Sequence, residues 1–303
     1  MQEMEIIAEG LSFPEGPIAL SDGSVLVVEI RRATLTRCWG QGRTEIVSQI
    51  GGGPNGAAIG PDGAVYVCNN GGFRWVDRDG LCIPAGCHHD YSGGRIERID
   101  PGTGRIDRLY DRCGDHPLRG PNDLVFDATG GFWFTDYGKD LPRQRDKSGI
   151  YYARPDGSFI REVEFGSSGY NGIGLSPDGK VLYAAETSTG RLWAFDVIGP
   201  GQIARAPGRF AGRLVLTMPG LQYFDSLAVT ASGAVCVATL LDPGVTTVST
   251  DGSWRLSPTP DPYTTNICFG GKDMTDAFVT LSGTGKLARM RWSEPGLRLH
   301  FNA

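Results

Sequence analysis

Six oxygen-bearing side chains recur in one register along this 303-residue sequence: Glu15, Asn55, Asn122, Asn171, Asp225 and Asn266. They are separated by 40, 67, 49, 54 and 41 residues. The chain holds only seven asparagines, and four of them take this position. Turn preference could place one or two Asn at a strand entrance, but it does not explain Glu and Asp in the same place. If a fold brings the six to one point, two carboxylates and several amide oxygens make a site for a hard divalent cation, Ca²⁺ first. Zinc would ask for His or Cys, and no position of the set carries either. The other reading of the same residues is a plug of hydrogen-bonded amides.

The elements around these residues repeat with them. Each is followed at +7 by a turn residue, namely Asp22, Asp62, Thr129, Asp178, Ser232 and Asp273. A β-branched or aromatic run then returns, such as Val25-Leu26-Val27-Val28 or Phe132-Trp133-Phe134-Thr135. Strand, Asp-Gly type turn and returning strand make a hairpin. Enough residues remain in each unit for two more strands, as at Gly94–Ile99 and Leu192–Phe195. Four strands in each of six units predict an all-β, six-bladed β-propeller, one domain over residues 1–303, with a divalent-cation site on its axis. The ring closes if Met4–Ala8 pairs with Lys286–Trp292, which would hide two sheet edges. At +14 stand Glu29, Asn69, Asp136, Thr239 and Thr280, with Glu186 at +15. These are either hydrogen-bonding supports for the axial residues or solvated strand ends.

Composition excludes several other classes. Forty-five glycines in 303 residues is about twice the usual share, too many for helix interiors. A net charge of −5 disfavours nucleic acid as a partner. No run approaches the ~20 apolar residues of a membrane span, so no membrane partner is expected. Met1–Glu5 has no basic, apolar leader character, and seven cysteines are an odd number. A cytoplasmic protein with reduced thiols is the expectation.

Phe-Pro-Glu-Gly-Pro at 13–17, Gly-Pro-Asn-Asp at 120–123, Tyr-Asn-Gly-Ile-Gly-Leu-Ser-Pro-Asp-Gly at 170–179 and Phe-Asp-Ser-Leu-Ala-Val at 224–229 resemble the SMP-30/gluconolactonase/LRE-like family. The resemblance covers nearly the whole chain. It implies a six-bladed propeller with one axial divalent cation, most often Ca²⁺, with Zn²⁺, Mn²⁺ or Mg²⁺ as other occupants. It puts metal ligands on Glu15, Asn171 and Asp225, a further metal or substrate contact on Asn122, and the general base on Asp225. Diisopropylfluorophosphatase-like propellers resemble the same Glu, Asn, Asn, Asp set. The sequence departs from several sugar-lactonase members two residues before Asn122, where Gly120 replaces an Arg and Arg119 stands one step back.

The expected chemistry is opening of a small lactone, a sugar-acid lactone or a relative. The cation would polarise the carbonyl and Asp225 would take a proton from water. Asn55 and Asn122 would orient the substrate, with Arg119, His116 and Tyr170 as further contacts. Phosphotriester or aryl-ester hydrolysis at the same site is one alternative. A non-catalytic binding propeller with a structural cation is another. The long interval from Gly71 to Gly93, with Trp75, His88 and His89 in it, reads as a lid over one mouth of the axis.

Overall fold

The computed structural model describes residues 3–205 and 211–302, and the regular elements among them are all strands. Six antiparallel sheets run outward from innermost strands Pro14–Ala19, Pro54–Ile59, Pro121–Phe126, Tyr170–Leu175, Tyr223–Val229 and Thr264–Gly270. Each innermost strand touches the next around the ring, and the sixth touches the first. The architecture is a six-bladed β-propeller. The N-terminal strand Met4–Ala8 forms the outer edge of blade six, antiparallel to Lys286–Arg291. On the axial side, Ser282 Oγ donates to the Pro14 carbonyl at 2.5 Å, joining blade six to blade one.

Local chemistry explains the hairpins. Asp22, Asp62, Asp127 and Asp178 each turn the chain by accepting a backbone N–H two residues on, at 2.8–3.2 Å. These are Asx turns. The returning strands Val25–Glu29, Val65–Asn69 and Phe132–Asp136 are buried at every residue. A blade is covered on both faces by its neighbours, so such strands are apolar throughout and do not alternate. The core is accordingly divided into six apolar clusters, one in each gap between blades. Between blades two and three it is aromatic, with Tyr66, Phe126, Phe132 and Phe134 in contact.

Three hairpins are added to the ring. Phe73–Arg78 and Leu81–Cys87 form the largest, which fills the long interval in blade two. Arg112–Cys113 with His116–Pro117 and Asp140–Leu141 with Gln144–Arg145 form the others. The C-terminal segment crosses the opposite mouth, held by Gly296 N–H on the Met274 carbonyl and Leu297 N–H on that of Val229. The Cys82 and Cys87 thiols, like the other five, are free.

Convergence of innermost strands leaves no room for side chains between neighbours. A Cβ on Gly56 would lie 2.4 Å from the Asn122 carbonyl oxygen and 2.6 Å from Asp123 Cα. Gly172 meets blade five in the same way, 2.6 Å from Ser226 Cα. Neither neighbour is a flexible side-chain tip, so the strands themselves would have to separate. Gly56→Ala is expected to lose roughly 1–3 kcal/mol, read as a lower denaturation midpoint. An unchanged midpoint would mean that this spacing is not a constraint.

Candidate active site

The pairing register slips at the axial position of every innermost strand. In blade three Pro121 faces Asp136 and Leu124 faces Phe134, so Asn122 and Asp123 together oppose Thr135. A bulge of this kind takes one side chain out of the up-down alternation and re-aims it. Here it carries the polar residue towards the axis while the rest of the strand stays in its ladder. Glu15, Asn55, Asn122, Asn171 and Asp225 come together at the floor of one solvent-open pocket of about 210 Å³. Asn266 lies beside them. Its Nδ2 donates to Glu15 Oε2 at 2.8 Å, and its Oδ1 accepts from Ile267 N. It therefore orients Glu15, with its own oxygen already engaged once by backbone.

The floor concentrates negative charge in a desolvated place. Burial raises the Glu15 carboxyl above its ordinary value, against hydrogen bonds from Asn266 and Gly16. Burial, and then the Glu15 charge, push Asp225 well up. Behind the floor, Asp123 lines the space on the other side of the axial residues, and the same two causes push it up to about 7. Among the described residues no Lys or Arg forms an ion pair with any of the three. Asn122 Oδ1 is buried with no hydrogen-bond partner, an arrangement that costs stability unless something fills it. Asn171 is fixed by its Nδ2 on Thr187 Oγ1 at 3.1 Å. Hard oxygens, excess buried negative charge and an orphaned amide oxygen fit a divalent cation of the calcium type. Asp225 alone of the six is only partly buried, so its carboxyl faces the pocket.

The strand-end residues act one step away from the floor. Asn69 Oδ1 accepts from Gly53 N at 2.8 Å, and Asp136 Oδ1 from Gly120 N at 2.6 Å. Each grips the backbone two residues before an axial side chain. Glu29 and Glu186 do the same three residues before, through Ser12 N and Ser168 N. These four position the chain entering the bulges of blades one to four and do not touch the axial side chains.

Three expected substrate contacts lie elsewhere. Tyr170 is buried in the core between blades three and four, edge-on to Phe195. Its aromatic ring is packing, as its place in a strand buried throughout requires. Arg119 is turned away from the floor by Asp146, which accepts from its Nε at 2.9 Å. His116 is exposed on the short hairpin after Arg112–Cys113. Neither His116 nor Arg119 lines the pocket. In their place the pocket has Tyr137, Thr187 and Thr265, all beside repeat positions, and Phe73, Pro84 and Cys87 from the large hairpin. The first three were readable as strand-end neighbours. The hairpin residues belong to no repeat, and only the length of their interval marked them. The lid expected over 71–93 is thus a two-stranded wall on the axial mouth that holds the acidic floor. At its base the ligand atoms of His88, His89 and Asp90 gather within 4.8 Å, without either cysteine of the hairpin.

The propeller is shared with solved structures. A gluconolactonase from Xanthomonas campestris superposes with a TM-score of 0.74 at 21% identity, covering 96% of this chain and 89% of that one. A calcium-binding regucalcin from Agrobacterium tumefaciens superposes equally well, 0.74, at 18% identity over 98% of each chain. These likenesses carry the fold. In sequence, a gluconolactonase of Zymomonas mobilis is 24% identical over 95% of this chain and 81% of its own length. Lactonase drp35 of Staphylococcus saprophyticus is 28% identical over 78% of this chain and 65% of its own. The family model described as the SMP-30/Gluconolactonase/LRE-like region matches residues 13–283, from the Phe before Glu15 to the end of the last innermost hairpin. With the propeller and nearly its whole length matched, the chain belongs to the SMP-30/gluconolactonase/LRE-like family.

Proposed function

We propose that this chain is a divalent-cation-dependent hydrolase that opens a small lactone ring. The observation that carries the reading is the acidic pocket floor with the orphaned Asn122 oxygen in it. The gluconolactonase and lactonase relatives support the reaction class, and the calcium-binding neighbour supports the choice of Ca²⁺ over Zn²⁺, Mn²⁺ or Mg²⁺. Glu15, Asn122, Asn171 and Asp225 would hold the cation. When bound, it would polarise a carbonyl and make a water more acidic.

Asp225 is the base in this reading, because it is the axial carboxyl open to the pocket. Burial, with the Glu15 charge, raises this carboxyl in the cation-free protein; a cation beside it would favour the ionised form, the only form that can accept a proton. It takes a proton from water as the water oxygen bonds to the lactone carbonyl carbon. When the ring C–O bond breaks, Asp225 returns that proton to the leaving alkoxide, giving a hydroxy acid. Asn55, whose side chain lines the pocket, donates its amide N–H to the carbonyl oxygen as charge develops there. Asn266 and Gly16 N keep Glu15 from turning into the substrate space.

Asp225→Asn is expected to lower kcat by roughly 10²–10⁴-fold and to leave the fold intact, checked by lactone titration with a pH indicator and by circular dichroism. Chelation should abolish activity and added calcium restore it. Full turnover by the variant, or by chelated protein, would dismiss the mechanism. Turnover of phosphotriesters or aryl esters without lactones would move the substrate class.

Stability should report the cation independently of activity. In cation-free protein Asp123 titrates at about 7, above its ordinary 3.8. The stability contributed by its neutral form is complete below 3.8 and is lost as pH rises through 7. Chelated protein should therefore melt lower at pH 8 than at pH 5.5. Calcium at 100 times its Kd adds about 2.7 kcal/mol, and the gain should be larger at pH 8. An identical Tm with and without calcium at both pH values would mean the floor is an amide plug.

A further inference from the structure

The geometry points to a narrower substrate class: an uncharged lactone bearing an apolar substituent, an alkyl chain or an aryl ring, lodged against the wall that the Phe73–Cys87 hairpin adds to the propeller. This rests on the hydrolase reading and concerns what that site selects.

Most polar side chains of the pocket belong to the axial residues and their neighbours; Asp140, exposed on the Asp140–Leu141 hairpin, also lines it and is paired with Arg145. Above the axial residues the wall is Phe13, Ile30, Phe73, Pro84 and Leu240. A polyhydroxylated ring would have to bury its outer hydroxyls against these side chains without partners, which is costly. An alkyl or aryl group gains by leaving water there. Two tyrosines also line the pocket; the Tyr137 hydroxyl accepts from Arg145 Nη2 at 2.6 Å and keeps its own O–H for a single donation, fewer partners than a polyhydroxylated ring would need. The Tyr263 ring packs edge-on to Phe13 at 6.1 Å.

Charge points the same way. Among the described residues lining the pocket there is no Lys, Arg or His. The nearest basic groups are already engaged. Arg119 is held by Asp146, and Arg145 pairs with Asp140 at 3.1 Å. Lys139 lies buried behind the wall, its Nζ donating to the Gly72 carbonyl at 3.1 Å and standing 4.3 Å from the Phe73 ring centre. A cation on the floor would balance the carboxylates there, leaving nothing positive for a phosphate or carboxylate on the substrate.

The wall is preformed. Phe73 stands edge-on to Trp75 at 5.9 Å, and Trp75 packs on Phe13 at 5.1 Å. Cys82 N–H donates to the Gly283 carbonyl at 2.8 Å, and Arg31 pairs with Asp77 at 2.5 Å. Phe13 itself holds a left-handed backbone, φ 57°, which is uncommon for a bulky residue and kept only where the surroundings enforce it. A hairpin tied to blades one, three and six binds without first being ordered.

The test compares glucono-δ-lactone, δ-valerolactone and δ-nonalactone with the calcium-loaded full chain. The expected kcat/KM for δ-nonalactone is at least about tenfold above both others. Phe73→Ala should remove most of that advantage, chiefly through a raised KM for δ-nonalactone. Glucono-δ-lactone turned over as fast as δ-nonalactone or faster overturns the substrate class and leaves the hydrolase reading standing. A preference that survives Phe73→Ala undiminished overturns the assignment of the wall. Turnover of none of the three overturns the hydrolase reading together with this inference. The comparison in the parent protein decides the class even if the variant fails to fold.

Discussion

Six strands directed at one axis leave space between neighbours for backbone and little more, and that crowding governs the rest of the molecule. It requires Gly56 and Gly172 beside the axial residues, where any Cβ would strike the next strand. It also gathers whatever side chains the bulges aim inward. Placed there, Glu15 and Asp225 cannot be spread apart to relieve their repulsion, because the closed ring fixes their distance. The same closure that hides the sheet edges therefore creates a concentrated, desolvated negative site. A divalent cation bound there, as proposed, would resolve that conflict. Fold and site thus share one cause.

Much of this was legible in the sequence because the ring is a repeat. A repeated hairpin writes its turn, its axial residue and its returning strand at fixed offsets, so Glu15, Asn55, Asn122, Asn171 and Asp225 could be set in register before any coordinates. The pairing of Met4–Ala8 with blade six was likewise expected, and it is present. The bulges were less legible. Nothing in Pro-Asn-Asp or Tyr-Asn-Gly marks a register slip in advance. Without the slip, alternation alone would leave the aim of these side chains undecided. The grip of Asn69 and Asp136 on backbone N–H groups was also hidden. Spacing placed these residues near the site, but it could not say which atoms they hold.

The residues that went astray were those argued from proximity in sequence. Arg119 and His116 lie within a few positions of Asn122, yet a connecting loop gives no direction to a side chain. Arg119 has a carboxylate within reach at Asp146, on the third hairpin's return, and that ion pair decides its rotamer. Tyr170 adjoins Asn171, but adjacent residues on a strand point to opposite faces. One of the two had to enter the core, and the aromatic one did. Asp123 was overlooked for the converse reason. It occupies the position that is glycine in blades one, two and four, so the bulge there brings a third carboxyl to the axis beside Glu15 and Asp225.

The two parts of the pocket differ in how they are built, and this bears on what each can vary. The floor is made by innermost strands whose bulges, glycines and backbone grips constrain one another, so a change at one blade is felt by its neighbours. The wall is an inserted hairpin that touches the ring through separable contacts: one Arg–Asp pair, one backbone hydrogen bond to Gly283, the Lys139 clamp and a stack of aromatic rings. Its sequence can change without disturbing blade packing. On the proposed reading, reaction chemistry would depend on the part that cannot move, and substrate choice on the part that can be rewritten. For that reason a family resemblance carried by the ring motifs speaks to the reaction more than to the substrate. The side chains of Phe73 and Pro84, outside every repeat, are where this chain's own selectivity has to be sought.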